Sequence, residues 1–111
     1  MIDIEAILEA DGTLIACSAS GHANAGKTGS DIVCAAVSVL MRTAASALFG
    51  RKGITVRSSA PERGQMLLEV EYEAEGKEFL FAIGVFLVKG LSSVAEEFPK
   101  NCKFSISTYN A

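Results

Sequence analysis

Residues 2 to 8 set Ile2, Ile4, Ala6 and Leu8 against Asp3, Glu5 and Ile7, and later in the chain Glu69, Glu71 and Glu73 alternate with Val70 and Tyr72. A period of two with charges at alternate positions describes a strand with one dry face and one wet face. A sheet built from such strands is covered on one side only, so the helices of this chain must lie together on the dry side.

The remaining elements follow from turn signals and from changes of period. Asp11-Gly12 is a hairpin signal, and "TLIACSAS" (13–20) after it reads as a second strand. From Asp31 the period becomes helical: Val33, Ala36, Val37, Leu40, Ala44, Ala47 and Leu48 gather on one side, with Asp31, Ser38 and Arg42 on the other. This predicts a helix that starts at Ser30 or Asp31 and ends near Phe49-Gly50. "ITVRSS" (54–59) and "QMLLEVEYEA" (65–74) read as strands joined through "APERG". A second helix is expected from about Glu78 to Glu97, stopped by Pro99, and "KFSISTY" as a last strand. The expected fold is α+β: a ββαββαβ two-layer sandwich, with a mostly antiparallel sheet covered by two helices and residues 1–111 forming a single domain. The second helix carries a core stripe of Phe79, Leu80, Ile83, Phe86, Leu87, Leu91 and Val94, and a spare apolar patch of Phe81, Val85 and Val88 that predicts a homodimer.

Composition narrows the function. Ten basic against thirteen acidic residues, a net charge of -3, argue against a dedicated nucleic-acid surface. The longest unbroken apolar run, "FLFAIGVFLV" (79–88), is about half of what a membrane span needs, so no membrane partner is expected. Cys17, Cys34 and Cys102 are odd in number and form no C-x-x-C pair, and the N-terminus lacks a signal-peptide layout; both point to free thiols in a reducing cytoplasm. With a single histidine and dispersed cysteines, neither a metal site nor a cofactor is expected.

The chemistry concentrates in "SGHANAGKTGSDIVCAAVSVL" (20–40). Gly21 to Thr28 spells the G-x-x-x-x-G-K-T of a phosphate-binding loop. Such a loop needs a parallel sheet and a second acidic strand end for magnesium, whereas this chain offers hairpins, and a helix starting at Asp31 would present a carboxylate to the phosphate. The same residues also suit a thiol site. Cys34 is expected in the first helical turn, where the macrodipole favours a thiolate. It sits about 60° from Asp31 and about 40° from Ser38 around the helix, on the border between core and polar face. His22, in the glycine-rich loop leading to that helix end, is the candidate general base. Free cysteines are also commonly inert core residues, so the residue pattern leaves both readings of Cys34 open.

"GHANAGKTGSDIVCAAVSVL" resembles the ribosomal-processing cysteine protease family, Prp, whose signature runs GHA, two variable residues, Gly, two variable residues, Gly, one variable residue, DIVCA and a serine. Gly21, His22, Ala23, Gly26, Gly29, Asp31, Ile32, Val33, Cys34, Ala35 and Ser38 match in register, and Lys27 and Thr28 fall on variable positions. The resemblance implies an endopeptidase that removes a short N-terminal extension from large-subunit ribosomal protein number twenty-seven, beside a pair of phenylalanines. His22 would take the thiol proton and Cys34 would attack the carbonyl to give an acyl-thioester, with helix-start N–H groups holding the oxyanion. Supporting roles remain two-sided. Asp31 either orients His22 or binds substrate, or else caps the helix. Ser38 either bonds to the dyad or simply belongs to the polar face. Gly21 is a supporting or substrate-binding position, and Gly26 and Gly29 are loop hinges or plain loop geometry. Two other readings stay in play: a non-catalytic ribosome-associated binding module, and nucleotide binding through the GHANAGKT loop.

Overall fold

The computed structural model describes residues 1–21, 28–62 and 64–109, and of residues 28–31 the backbone. The elements are β1 (Ile2–Leu8), β2 (Leu14–Ser20), α1 (Thr28–Leu48), β3 (Ile54–Ser59), β4 (Gln65–Tyr72), α2 (Lys77–Glu97) and β5 (Cys102–Thr108), with a short 3-10 turn, Ala74–Gly76, leading into α2. The strands form one sheet in the order β3-β4-β2-β1-β5. Every pairing is antiparallel except β1 with β5, which is parallel and in register from Ile2↔Cys102 to Leu8↔Thr108. The fold is thus α+β and mostly antiparallel, as the alternation required.

The dry face carries Ile2, Ile4 and Ala6 from β1, Cys17 and Ala19 from β2, and Leu68 and Val70 from β4, all buried. Onto it α1 packs Val33, Val37, Met41, Ala44 and Leu48, and α2 packs Leu80, Leu87 and Leu91, so both helices share one side. On the opposite face Asp3, Glu5, Glu69 and Glu71 are exposed. Glu71 there accepts from the Arg57 guanidinium at 3.0 Å and Glu5 from the Ser107 hydroxyl at 3.0 Å. The acidic row is therefore an ordinary solvated strand face with its own partners.

Two contacts set the helix positions. A Cβ on Gly84 would lie 2.9 Å from Leu14 Cβ, so α2 rests directly on the start of β2. A Cβ on Gly90 would lie 2.9 Å from a Leu40 methyl, which is where α2 crosses α1. At the hairpin, Asp11 accepts from the Thr13 backbone N–H at 2.9 Å and pairs with Lys77 at 2.7 Å, joining the β1–β2 turn to the first residue of α2. The Lys77 ammonium, helped by Thr13, holds the Asp11 carboxyl well below the usual carboxylate range.

Two sequence expectations need correction. Within α2 the buried stripe is narrower than predicted and centred on Leu80, Gly84, Leu87, Leu91 and Val94. Phe86 is 68 % exposed, whereas Val88 packs against the core. The reason is angular: from Leu80, Val88 lies about 80° round the helix and Phe86 about 120°. The outer apolar patch is therefore Phe81, Val85 and Phe86. Secondly, the stretch Ala74–Glu97, with an 18-residue window of mean hydropathy 1.7, is long and apolar enough to cross a bilayer. The unbroken run underestimated it, because the pattern continues past Lys89. Packing decides its character: Leu80, Leu87 and Leu91 are wholly buried beneath the helix, so α2 is a core helix of this sheet.

The tight seat of Gly84 is open to test. Gly84→Val should lower stability by about 1–3 kcal/mol, because the added carbons meet the Leu14 Cβ rather than a movable side-chain end. An unchanged midpoint in urea denaturation would contradict the close approach.

Candidate active site

The site lies at the end of the sheet where β2 stops and β1 and β4 begin. Gly21 leaves β2 with φ +136°, a conformation open to glycine. Its N–H donates to the Gly64 carbonyl at 3.1 Å, and a Cβ there would run into the Met1 carbonyl oxygen and stand 3.0 Å from Ile2 Cα. The strand end is thus held between the β3–β4 connection on one side and the start of β1 on the other.

Beside this junction a cavity of about 220 Å³ opens between the sheet end and α1. Ile2, Ala19, Val37 and Met66 supply apolar walls, and Cys34, Ser38 and Gly21 line it as well. Cys34 is half-buried, whereas Cys17 and Cys102 are buried; all three are free thiols. Burial pushes the Cys17 thiol up to about 12, and burial, together with the nearby Asp3 carboxylate, raises that of Cys102. The two buried thiols are thereby unsuited to nucleophilic work, and the thiol at the cavity is Cys34.

Of the sequence-predicted residues, the structure brings Gly21, Cys34 and Ser38 to one cavity. His22 and Gly26 lie outside the described residues, as does Lys27 of the phosphate-loop reading. Asp31 belongs to α1 by its backbone. The helix starts at Thr28, two or three residues before the expected position, which places Gly29 in its first turn rather than in the preceding loop. The same shift moves Cys34 to the seventh helical residue, in the second turn. The helix-terminal field that the sequence reading assigned to its thiol fades within about one turn, so position at the cavity is the stronger argument for this cysteine.

The earlier helix start also removes one objection to the phosphate loop, but the topology supplies a firmer one. β2, the strand before the loop, is antiparallel to both its neighbours, β1 and β4. Among the described residues the sheet is mostly antiparallel, unlike the parallel sheet of a phosphate-loop NTPase. Among the described residues no group of three His, Cys, Asp or Glu is placed to hold a metal ion.

Sequence reasoning missed Gly64 and Met66, which complete the cavity from β4 and the turn before it. Local pattern does not reveal them, since it is the pairing Ala19↔Met66 and Ser20↔Gln65 that carries them to the site. The glycine in "APERG", with φ +82°, was the available hint of a special backbone position.

A half-buried thiol at a largely apolar cavity, with two buried companions, is an arrangement suited to a cysteine-dependent hydrolase. The chain belongs to the family of cysteine protease Prp, whose model matches residues 1–103. No curated protein matches it. Among solved structures it is similar to SMU.848 from Streptococcus mutans, with 29% identity, TM-score 0.83 and coverage of 98% of this chain and 96% of that one. It shares its fold with the essential ribosomal processing protease Prp from S. aureus, solved with a substrate peptide, at 19% identity and TM-score 0.80, and with a covalently linked product peptide, at 20% and 0.77; each comparison covers 96% of this chain and 100% of the other.

Thiol accessibility makes a direct prediction. In the folded protein Cys34 should alkylate first near neutral pH, and Cys17 and Cys102 only after unfolding, as peptide mass mapping would read. Cys17→Ser should cost about 1–3 kcal/mol through its buried hydroxyl. Because Cys17 is folded in its protonated form with a raised pKa, its contribution to stability is complete below the ordinary thiol range, at about 8.5, and is lost as pH climbs towards 12. A wild-type denaturation midpoint that stays flat through that alkaline window would contradict its burial.

Proposed function

We propose that this cysteine protease is an endopeptidase of ribosome maturation that removes the N-terminal extension of large-subunit ribosomal protein number twenty-seven, through a dyad of Cys34 and His22. One observation carries the assignment: Gly21 and Cys34 line the same cavity, and His22 is the residue covalently next to Gly21. The substrate class rests on the family and on the shared fold with the S. aureus ribosomal processing protease.

In this mechanism His22 accepts the Cys34 proton, and the thiolate attacks the scissile carbonyl. His22 then protonates the departing amine, and water, deprotonated by His22, hydrolyses the thioester. Backbone N–H groups near the start of α1 are the proposed oxyanion donors. The apolar walls formed by Ile2, Ala19, Val37 and Met66 suit an apolar side chain next to the scissile bond. Ser38, one turn beyond Cys34 on the same cavity, is a proposed supporting group, and Asp31 a proposed partner of the dyad or the substrate. The reaction is proposed for the cytoplasm, consistent with three unpaired thiols.

The proposed working unit is a homodimer through the outer face of α2, where Phe81, Val85 and Phe86 are exposed side by side. Light scattering at tens of micromolar should give twice the chain mass, and Phe86→Glu should return it to the monomer. A wild-type protein that stays monomeric there counts against the interface.

The catalytic reading is tested by mass spectrometry of a synthetic peptide copying the N-terminus of the host ribosomal protein. Wild type should cut it once beside the aromatic pair. Cys34→Ala should abolish cleavage with the fold intact, and His22→Ala should lower it by about 10²- to 10⁴-fold. Binding without cleavage by the wild type would favour the non-catalytic module instead.

A further inference from the structure

A second cavity, of about 480 Å³, lies between the C-terminal half of α1 and β3, lined by Ala45, Ser46, Phe49, Val56, Arg57 and Ser58. It falls on the same side of α1 as the active site. At about 100° per residue, Cys34, Ser38, Ala45 and Phe49 all lie within about 60° of one another round the helix. Phe49 continues the helical turn, its N–H donating to the Ala45 carbonyl at 2.9 Å. The opposite walls are related through strand pairing. Ser58 and Ser59 pair with Leu68 and Leu67 of β4, and the next residue of β4, Met66, lines the Cys34 cavity. The two cavities thus lie along one seam, between α1 and the β3 side of the sheet.

Two features of the far end point to an occupant. Among the described residues β3 has β4 as its sole neighbour, so one row of its backbone N–H and C=O groups faces outward. Phe49 stands at this edge with 76 % of its surface exposed, next to half-buried Val56. An unpaired strand with an apolar groove along it is the arrangement that accepts an extended peptide, main chain on the edge and alternate side chains in the groove. Between Cys34 and Phe49 the helical path rises about 22 Å, which an extended chain covers in about seven residues.

We propose that the α1–β3 groove is an extended subsite of the protease: a polypeptide substrate adds as a strand to β3 and seats an apolar side chain against Phe49 and Val56, about seven residues from the bond cut at Cys34. The proposal rests on Cys34 as the nucleophile. It makes Phe49 a specificity-determining residue remote from the chemistry, and it makes the enzyme select for a long apolar-bearing segment rather than for the scissile residues alone.

The test uses the full chain and a peptide of about 20 residues copying the N-terminus of the host ribosomal protein. With Cys34→Ala protein, the peptide should slow amide exchange in residues 54–59 as well as around the Cys34 cavity. With the otherwise wild-type enzyme, Phe49→Ala should lower kcat/KM about tenfold for this peptide and leave it unchanged for one trimmed to two residues on either side of the scissile bond. A peptide that is cut while β3 exchanges as before and Phe49→Ala has no effect overturns the groove and leaves the protease reading standing. A peptide that protects β3 but is never cut overturns the nucleophile assignment and keeps the groove. A β3 already protected without peptide, in a dimer that Phe49→Ala dissociates, gives the edge to a second copy and overturns the proposal.

Discussion

The rotational setting of α1 is the constraint on which the site depends. Val33, Val37, Met41, Ala44 and Leu48 are all buried against the sheet, and each such side chain is worth about 1.5–3 kcal/mol, alanine less. Turning the helix by one residue's angle would expose part of this set and push Arg42 towards the core, so the packing admits a single orientation. In that orientation Cys34 and Ser38 fall at the rim, neither in the core nor on the open surface. The half-burial of the Cys34 thiol is therefore a by-product of a stripe chosen for packing. Leu40 against Gly90 fixes the other side of the helix, which leaves the β3 side as the face past which a substrate can run.

The two ends of the sheet are held by different means. At the hairpin end, side chains tie elements together: Asp11 to Lys77, Tyr72 to Glu9 and Lys52 to Glu75. The Glu9 carboxylate accepts the Tyr72 phenolic hydrogen and raises the Tyr72 pKa. At the site end the ties described are backbone ones, Gly21 to Gly64 and Ile2 to Asn101 at 2.9 Å.

The strands could be read from sequence because their alternation is a local record of one-sided burial. β1, β3 and β4 begin where Ile2, Ile54 and Gln65 were expected to begin. The start of α1 was misplaced because Thr28-Gly29-Ser30 carries no apolar residue whose period could mark it as helical, and glycine suggested a loop. Phe86 and Val88 exchanged roles because a stripe drawn through every large apolar residue is wider than the strip of sheet beneath α2. Of the residues that line the cavity, Gly21, Cys34 and Ser38 were singled out by the motif, whereas Met66 and Gly64 were not, since a register between strands more than forty residues apart has no local signature.

A sandwich with one layer of helices leaves few places where a peptide can meet a helix-borne nucleophile. The dry face is filled by side chains, and the wet face lies on the far side of the sheet from Cys34. What remains is the sheet end, where the glycine junction at Gly21 and Gly64 keeps side chains out of the way, and the seam between α1 and the edge of the sheet. Cys34 sits where those two openings meet, because its helix begins at the sheet end and runs beside β4 and β3. The position of Cys34 thus follows from topology: α1 begins at the sheet end, so its first turns stand, among the described residues, at a corner that solvent and an extended chain can both reach.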